Sequence, residues 1–245
     1  MKIDQVTSST VADLWASVEP RMVQSLCLEE AAQALVRAVH MRFYESVVIA
    51  RMFATVPYSD VPPQIASFAR GLSESADVES ELTPTTPVLS LIGTHGEENR
   101  WNDRRNSKGH VAIPLISSSF VGAIPMISRL LKELGVPGGW VDSHDSQVIV
   151  NTIGSAAGLF FVGDAGEATD HAGRKIIAAQ DFVSTYGVKS VFGIGGAYSS
   201  GQIIVLVAFC RDALDRSVAE RFLSLANLFM SRTAYLVEMK KVFSS

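Results

Sequence analysis

"QDFVSTYGVKSVFGIGGAYSSGQIIVLVAFCRDALDRSVAERFLSLANLFMSRTAYLV", Gln180 to Val237, is the stretch whose reading decides the fold. The segment "DHAGRKIIAAQDFVSTYG" leads into it as a helix closed by Gly187. Two β-rich runs follow, 188–196 and 200–210, joined through "AYSSG". Strands joined by so short a turn must pair antiparallel. The glycines of "GIGGAYSSG", 193–201, lead into a strand and not into a helix N-terminus. They therefore mark a twisted hairpin and close sheet packing, not a phosphate cradle. Asp215 then caps a long helix from Ser217 to about Val242. Val218, Phe222, Leu225, Ala226, Phe229, Ala234 and Val237 form its inner face.

Working outward, residues 28–43, "LEEAAQALVRAVHMRF", carry a helical repeat at Leu28, Ala32, Leu35, Val36, Val39 and Phe43, with acids in the first turn. A helix from about Thr10 to Leu26 precedes it, with Pro20 breaking or restarting it. "YESVVIARMFAT", 44–55, reads as a strand, 63–72 as a short helix and 87–93 as a strand. The polar, acidic segment 73–86 is solvated. "HVAIPL" is extended, since Pro114 keeps Ile113 out of helical angles. A helix opens at Ser117 or Ser119 and runs to Leu134, with Pro125 suited to a first turn. Residues 147–153 and 158–163 are short strand candidates. The sum is an α+β protein, a central sheet ending in an antiparallel hairpin, with helices mostly on one face.

Bulk properties narrow the function classes. The 245 residues are 47% hydrophobic and 19% charged, which is enough for a core. A net charge of −4 argues against general nucleic-acid binding, which needs a broad basic surface. The two cysteines, Cys27 and Cys210, lie in apolar runs with no C-x-x-C, and read as buried thiols. The N-terminus has no apolar signal core, and the longest apolar run, Ile203–Cys210, is too short to span a bilayer. The expectation is a soluble, cytoplasmic protein.

The segment 180–237, together with "CLEEAAQALVRAVHMRFYESVVIARMF", resembles the closing and opening parts of a GAF domain. The two parts bracket the chain. The resemblance implies a GAF-like fold over 28–245 with a long middle insertion, behind an N-terminal helical segment 1–27. GAF-like domains are sensory or regulatory modules that bind cyclic nucleotides, haem, bilins, small metabolites or proteins. The family's N-K-x-F-D-E cyclic-nucleotide pattern is absent, neither cysteine is followed by His, and neither sits where a sulfoxide-reductase cysteine is needed.

Candidate site residues concentrate in "RWNDRRNSKGHVAIPL", 100–115. In a GAF-like layout this loop roofs the pocket. Arg104, Arg105 and Lys108, with Arg100, offer an anion clamp, Trp101 a stacking surface, and Asn102, Ser107 and His110 polar contacts. The competing reading is a solvated loop anchored by Trp101. Acid- and His-bearing loops at 142–146 and 164–171 read as turns, so no metal ligands are assigned. No G-x-S-x-G or H-E-x-x-H occurs, and no catalytic residues are assigned. The expectation is a non-enzymatic sensor for a small ligand of unknown identity, the cations favouring an anion. It would form a homodimer through its terminal helices and signal in trans to a protein partner, with no role for membrane or nucleic acid. The alternative is a ligand-free dimerising scaffold.

Overall fold

The computed structural model describes residues 1–144 and 157–244; the strand expected at 147–153 lies outside them. Two helices open the chain, α1 (Ser8–Gln24) and α2 (Leu28–Arg42). Thr7 and Thr10 form a reciprocal cap at the start of α1. Pro20 does not break this helix. It stands in the last turns, where the loss of one backbone bond is offset by the buried face of Val11, Leu14, Trp15, Val18 and Met22.

The strands are β1 (Val47–Pro57), β2 (Pro87–Gly96), β3 (Ala112–Pro114), β4 (Gly158–Val162), β5 (Ser190–Ala197) and β6 (Ile203–Cys210). They form one antiparallel sheet in the order β3-β2-β1-β6-β5-β4. β1 is central, and Arg51 pairs with Thr94 on one side and Val207 on the other. The glycines of β5 do serve close packing: a Cβ on Gly195 would lie 2.2 Å from the Ile204 carbonyl oxygen. Gly201, at φ 82, closes the β5–β6 hairpin.

Between the strands lie α3 (Pro63–Ser75), α4 (Ser118–Gly122), α5 (Pro125–Glu133), α6 (Gly138–Ser143) and α7 (Gln180–Tyr186). α8 (Arg216–Glu220) and α9 (Leu223–Glu238) end the described chain. Two expected long helices are thus divided. Ser117 caps α4 at the Phe120 amide, and Pro125 starts α5 afresh because it has no N–H to continue α4. The helix expected from 170 begins only at Gln180. The Asp170 carboxylate captures the Ala172 and Arg174 amides, and Gly173 turns at φ 76, so a local turn wins over helix.

The helices cover both faces of the sheet, not mainly one. Ala50, Met52 and Ala54 of β1 and Ile204, Leu206 and Ala208 of β6 face a core built with α1, α2 and α9. Phe53, Val205 and Val207 point the other way, into a second core with α4, α5, α6 and α7. Strands buried on both faces read as continuous apolar runs, which explains "VVIARMFAT" and "IIVLVAFC".

Candidate functional site

The second face does not fill completely. A cavity of about 190 Å³ remains between the sheet, α5, the segment 176–179 and the loop after β2. Ile49, Arg51 and Phe53 of β1 and Val205, Val207 and Phe209 of β6 make its floor. These are alternate residues on adjacent strands, as the two-residue repeat requires. Met126, Ile127 and Leu130 of α5 form one wall, and Ile176, Ile177 and Phe182 another. The failure of 170–179 to form a helix is what brings Ile176 and Ile177 to this wall.

Trp101, Gly109 and His110 of the loop also line it. Trp101 is fixed from several sides. Its ring lies against Gly96, where an added Cβ would come within 2.8 Å of it. Its centroid lies 4.8 Å from Tyr186 and 5.8 Å from Phe182, and Phe182 in turn meets Phe209 edge-on. His110 holds a left-handed backbone, φ 50, unusual for a residue with a Cβ. Protein packed around its ring, and then the Arg51 guanidinium, push its pKa down. The residue as a whole is exposed, so the Arg51 charge is the firmer of the two causes.

Arg51 is the feature that the opening sequence reading passed over. It projects from the central strand between Ile49 and Phe53. Its Nη1 donates to the Gly109 carbonyl at 2.8 Å and its Nη2 to Ser107 Oγ at 2.7 Å. Its Nε is buried with no hydrogen-bond partner. Among the described residues it forms no ion pair. Burial lowers its pKa to about 10, which still leaves it charged. The signal was available: a lone Arg inside an apolar strand, in register with a face that must be buried.

The other expected site residues divide by role. Asn102 Oδ1 accepts from the Gly96 amide and so shapes the loop, and Ser107 holds Arg51. Lys108 is exposed and does not line the cavity. Arg104 and Arg105 do not line it either; both turn to Glu29 at the start of α2. Arg104 Nη2 donates to Glu29 Oε2 at 2.8 Å, while its Nε sits 2.8 Å from Oε1 without hydrogen-bond alignment. Arg105 lies 3.3 Å from the same carboxylate. The Ser244 amide also donates to Glu29, and Arg104 lies over the Phe243 ring. Burial would raise the Glu29 carboxyl, but Arg104, Ser244 and Arg105 outweigh it and hold it below its ordinary value. The expected cationic clamp is therefore not assembled at the cavity. Arg104 and Arg105 instead join the roof loop to α2 and to the C-terminal tail.

A second pair, invisible in the sequence, is His40 of α2 and His95 of β2, whose Nδ1 atoms lie 3.1 Å apart. Burial lowers both pKa values, that of His95 to about 4, with the neighbouring His40 adding to it. Among the described residues no three His, Cys, Asp or Glu side chains gather as metal ligands.

No protein-family model matches the sequence, and no curated protein does. Solved structures do. The phycocyanobilin-bound GAF domain of a cyanobacterial phytochrome is similar at a TM-score of 0.50 and 12% identity, covering 96% of this chain and 98% of that one. The GAF domain of an Acinetobacter phosphoenolpyruvate-protein phosphotransferase aligns at a TM-score of 0.48 and 12% identity, covering 95% and 98%. The six-stranded antiparallel sheet with flanking helices is thus a GAF-like α+β fold. The likeness extends along nearly the whole chain, including the middle that carried no motif.

Proposed function

We propose that this chain is a GAF-like sensory or regulatory protein that binds a small ligand in the cavity beneath Trp101 and Gly109–His110. The observation that carries this reading is an apolar cavity lined by one half-buried cation, Arg51, which has no ionic partner among the described residues. Functional pockets are typically apolar with a few converging polar groups. The phytochrome relative is bilin-bound, but a cavity of about 190 Å³ is only a little larger than the ~150 Å³ that admits benzene. A tetrapyrrole is therefore not carried over. No described helix is long and apolar enough to cross a membrane, and the free, buried Cys27 and Cys210 suit a reducing cytoplasm.

Output to a protein partner rests on the roof itself, because Arg104 and Arg105 tie it to Glu29 and Ser244. A ligand that binds one roof position better than another shifts that tie. Native mass spectrometry of the purified protein, with thermal shifts over a panel of organic acids and nucleotides, tests the reading. A bound small molecule or a saturable shift is expected. No binding to any of them, with unchanged stability on filling the cavity by Leu130→Trp, would sink it.

The dimerising reading has its own observation. Val23 and Leu26 at the end of α1 and Tyr235 and Met239 at the end of α9 are exposed, and Tyr235 Oη donates to the Ser25 carbonyl between them. Light scattering on wild type and on Leu26→Glu decides it: a dimer that this change dissolves is expected, and a monomeric wild type removes it.

A further inference from the structure

We propose that the ligand of this cavity is a small apolar monocarboxylic acid, its carboxylate seated on Arg51. The inference rests on the ligand-binding reading above and narrows it to one chemical class.

Among the described lining residues, Arg51 alone carries a permanent charge. Arg51 is half-buried, and drawing a cation out of water costs free energy unless it is paired and hydrogen-bonded. Here two neutral oxygens, of Gly109 and Ser107, take the ends of the guanidinium, and Nε takes none. An anion with acceptor oxygens would pair this charge, and a guanidinium matches a carboxylate.

The surroundings fix the rest of the molecule. The walls beyond Arg51 are Ile49, Phe53, Met126, Leu130, Ile177 and Val207, with no polar side chain among them. A phosphate dianion would bring a second charge and further acceptors that these walls leave unsatisfied. A nucleotide would bury a sugar and a base edge against the same walls. A long acyl chain exceeds about 190 Å³. What fits is a body of about one ring or a short branched chain. Trp101 and Phe182 offer it an aromatic edge.

The binding mode also bears on the roof. Arg51 already holds Ser107 and Gly109, so a carboxylate on the same guanidinium acts on the turn that carries His110. Ligand binding and roof position then share one side chain.

The test is calorimetric titration of the full chain with phenylacetate and 3-methylbutanoate, each beside its neutral amide, on wild type, Arg51→Met and Arg51→Lys. At least one acid is expected to bind, with its amide weaker by about tenfold or more. Arg51→Met should abolish that preference, and Arg51→Lys should keep part of it, since an ammonium keeps charge but loses the fork. Equal binding of acid and amide, or undiminished acid binding by Arg51→Met, overturns the proposal while leaving the cavity as a ligand site. Binding of neither acid nor amide overturns the proposal and counts against the cavity as well. Should Arg51→Met fail to fold, the acid–amide comparison in wild type and Arg51→Lys still decides.

Discussion

Arg104→Met tests the tie between the roof loop and the body. Arg104 is 6% exposed and Glu29 is 6% exposed, so the substitution leaves a carboxylate buried without its main partner. Removing one member of a buried ion pair costs about 3–5 kcal/mol. The Ser244 amide and hydroxyl still donate to Glu29, and Arg105, half exposed, adds little. The lower end of the range is therefore expected, roughly 3 kcal/mol. For a domain of this size that is a fall in Tm of about 6–12 °C. Urea denaturation gives the free energy and a thermal melt gives Tm. Replacing both partners, Glu29→Met with Arg104→Met, should recover most of the loss, because no charge is then left buried.

The pH dependence supplies an independent check. In wild type the depressed Glu29 pKa means that the pair's contribution is present above the unfolded value of 4.5. It is lost as pH falls through the folded value, which lies lower. In Arg104→Met burial dominates and raises that pKa, so the native state takes up the proton first. The gap between variant and wild type should narrow on acidification. A loss under about 1 kcal/mol, or a gap that ignores pH, would show that the pair does not hold the loop.

Other consequences are open to measurement. The folded His95 and His40 titrate below 6.5, so at neutral pH they cost nothing, but as pH falls below 6.5 the unfolded chain binds protons first. Stability should therefore drop between pH 6.5 and about 4, and His95→Gln should flatten that part of a Tm–pH curve. Gly195→Ala places a methyl 2.2 Å from the Ile204 carbonyl oxygen within a paired strand. It should lower Tm by several degrees or leave the chain insoluble, and an unchanged melt would mean the hairpin is less tightly fixed than described. Gly96→Ala places a methyl 2.8 Å from both the Trp101 ring and the Val48 carbonyl oxygen, so it should shift tryptophan emission, lower Tm and weaken any ligand of the cavity.

Much of the fold was legible because its signals are local. The repeat in "LEEAAQALVRAVHMRF", the β-branched run of β6, the glycines of β5 and the turn at Gly201 each act within a few residues, and each element formed as read. The antiparallel pairing of β5 and β6 followed from a connection too short for anything else. The misread helix boundaries each have a local cause. The helix expected from 170 lost to the Asp170 turn, a competition between local options that apolar periodicity alone does not settle. The continuous helix expected through Pro125 divided there, at the residue that lacks the needed amide.

The site was less legible. The sequence singled out 100–110 by its charge, and Trp101 and His110 do line the cavity. Charge alone could not say that Arg104 and Arg105 face a carboxylate 75 and 76 positions earlier, at Glu29, nor that Arg51 stands alone among apolar neighbours. By itself, then, the sequence determined the class of fold, the order of most elements and the loop on which to look, since periodicity, caps and turns are short-range. Only the tertiary structure decided that Glu29 neutralises Arg104 and Arg105 while Arg51 has no ionic partner among the described residues. That depends on the order β3-β2-β1-β6-β5-β4 and on which face of β1 receives Arg51, and pairings across scores of residues leave no local trace.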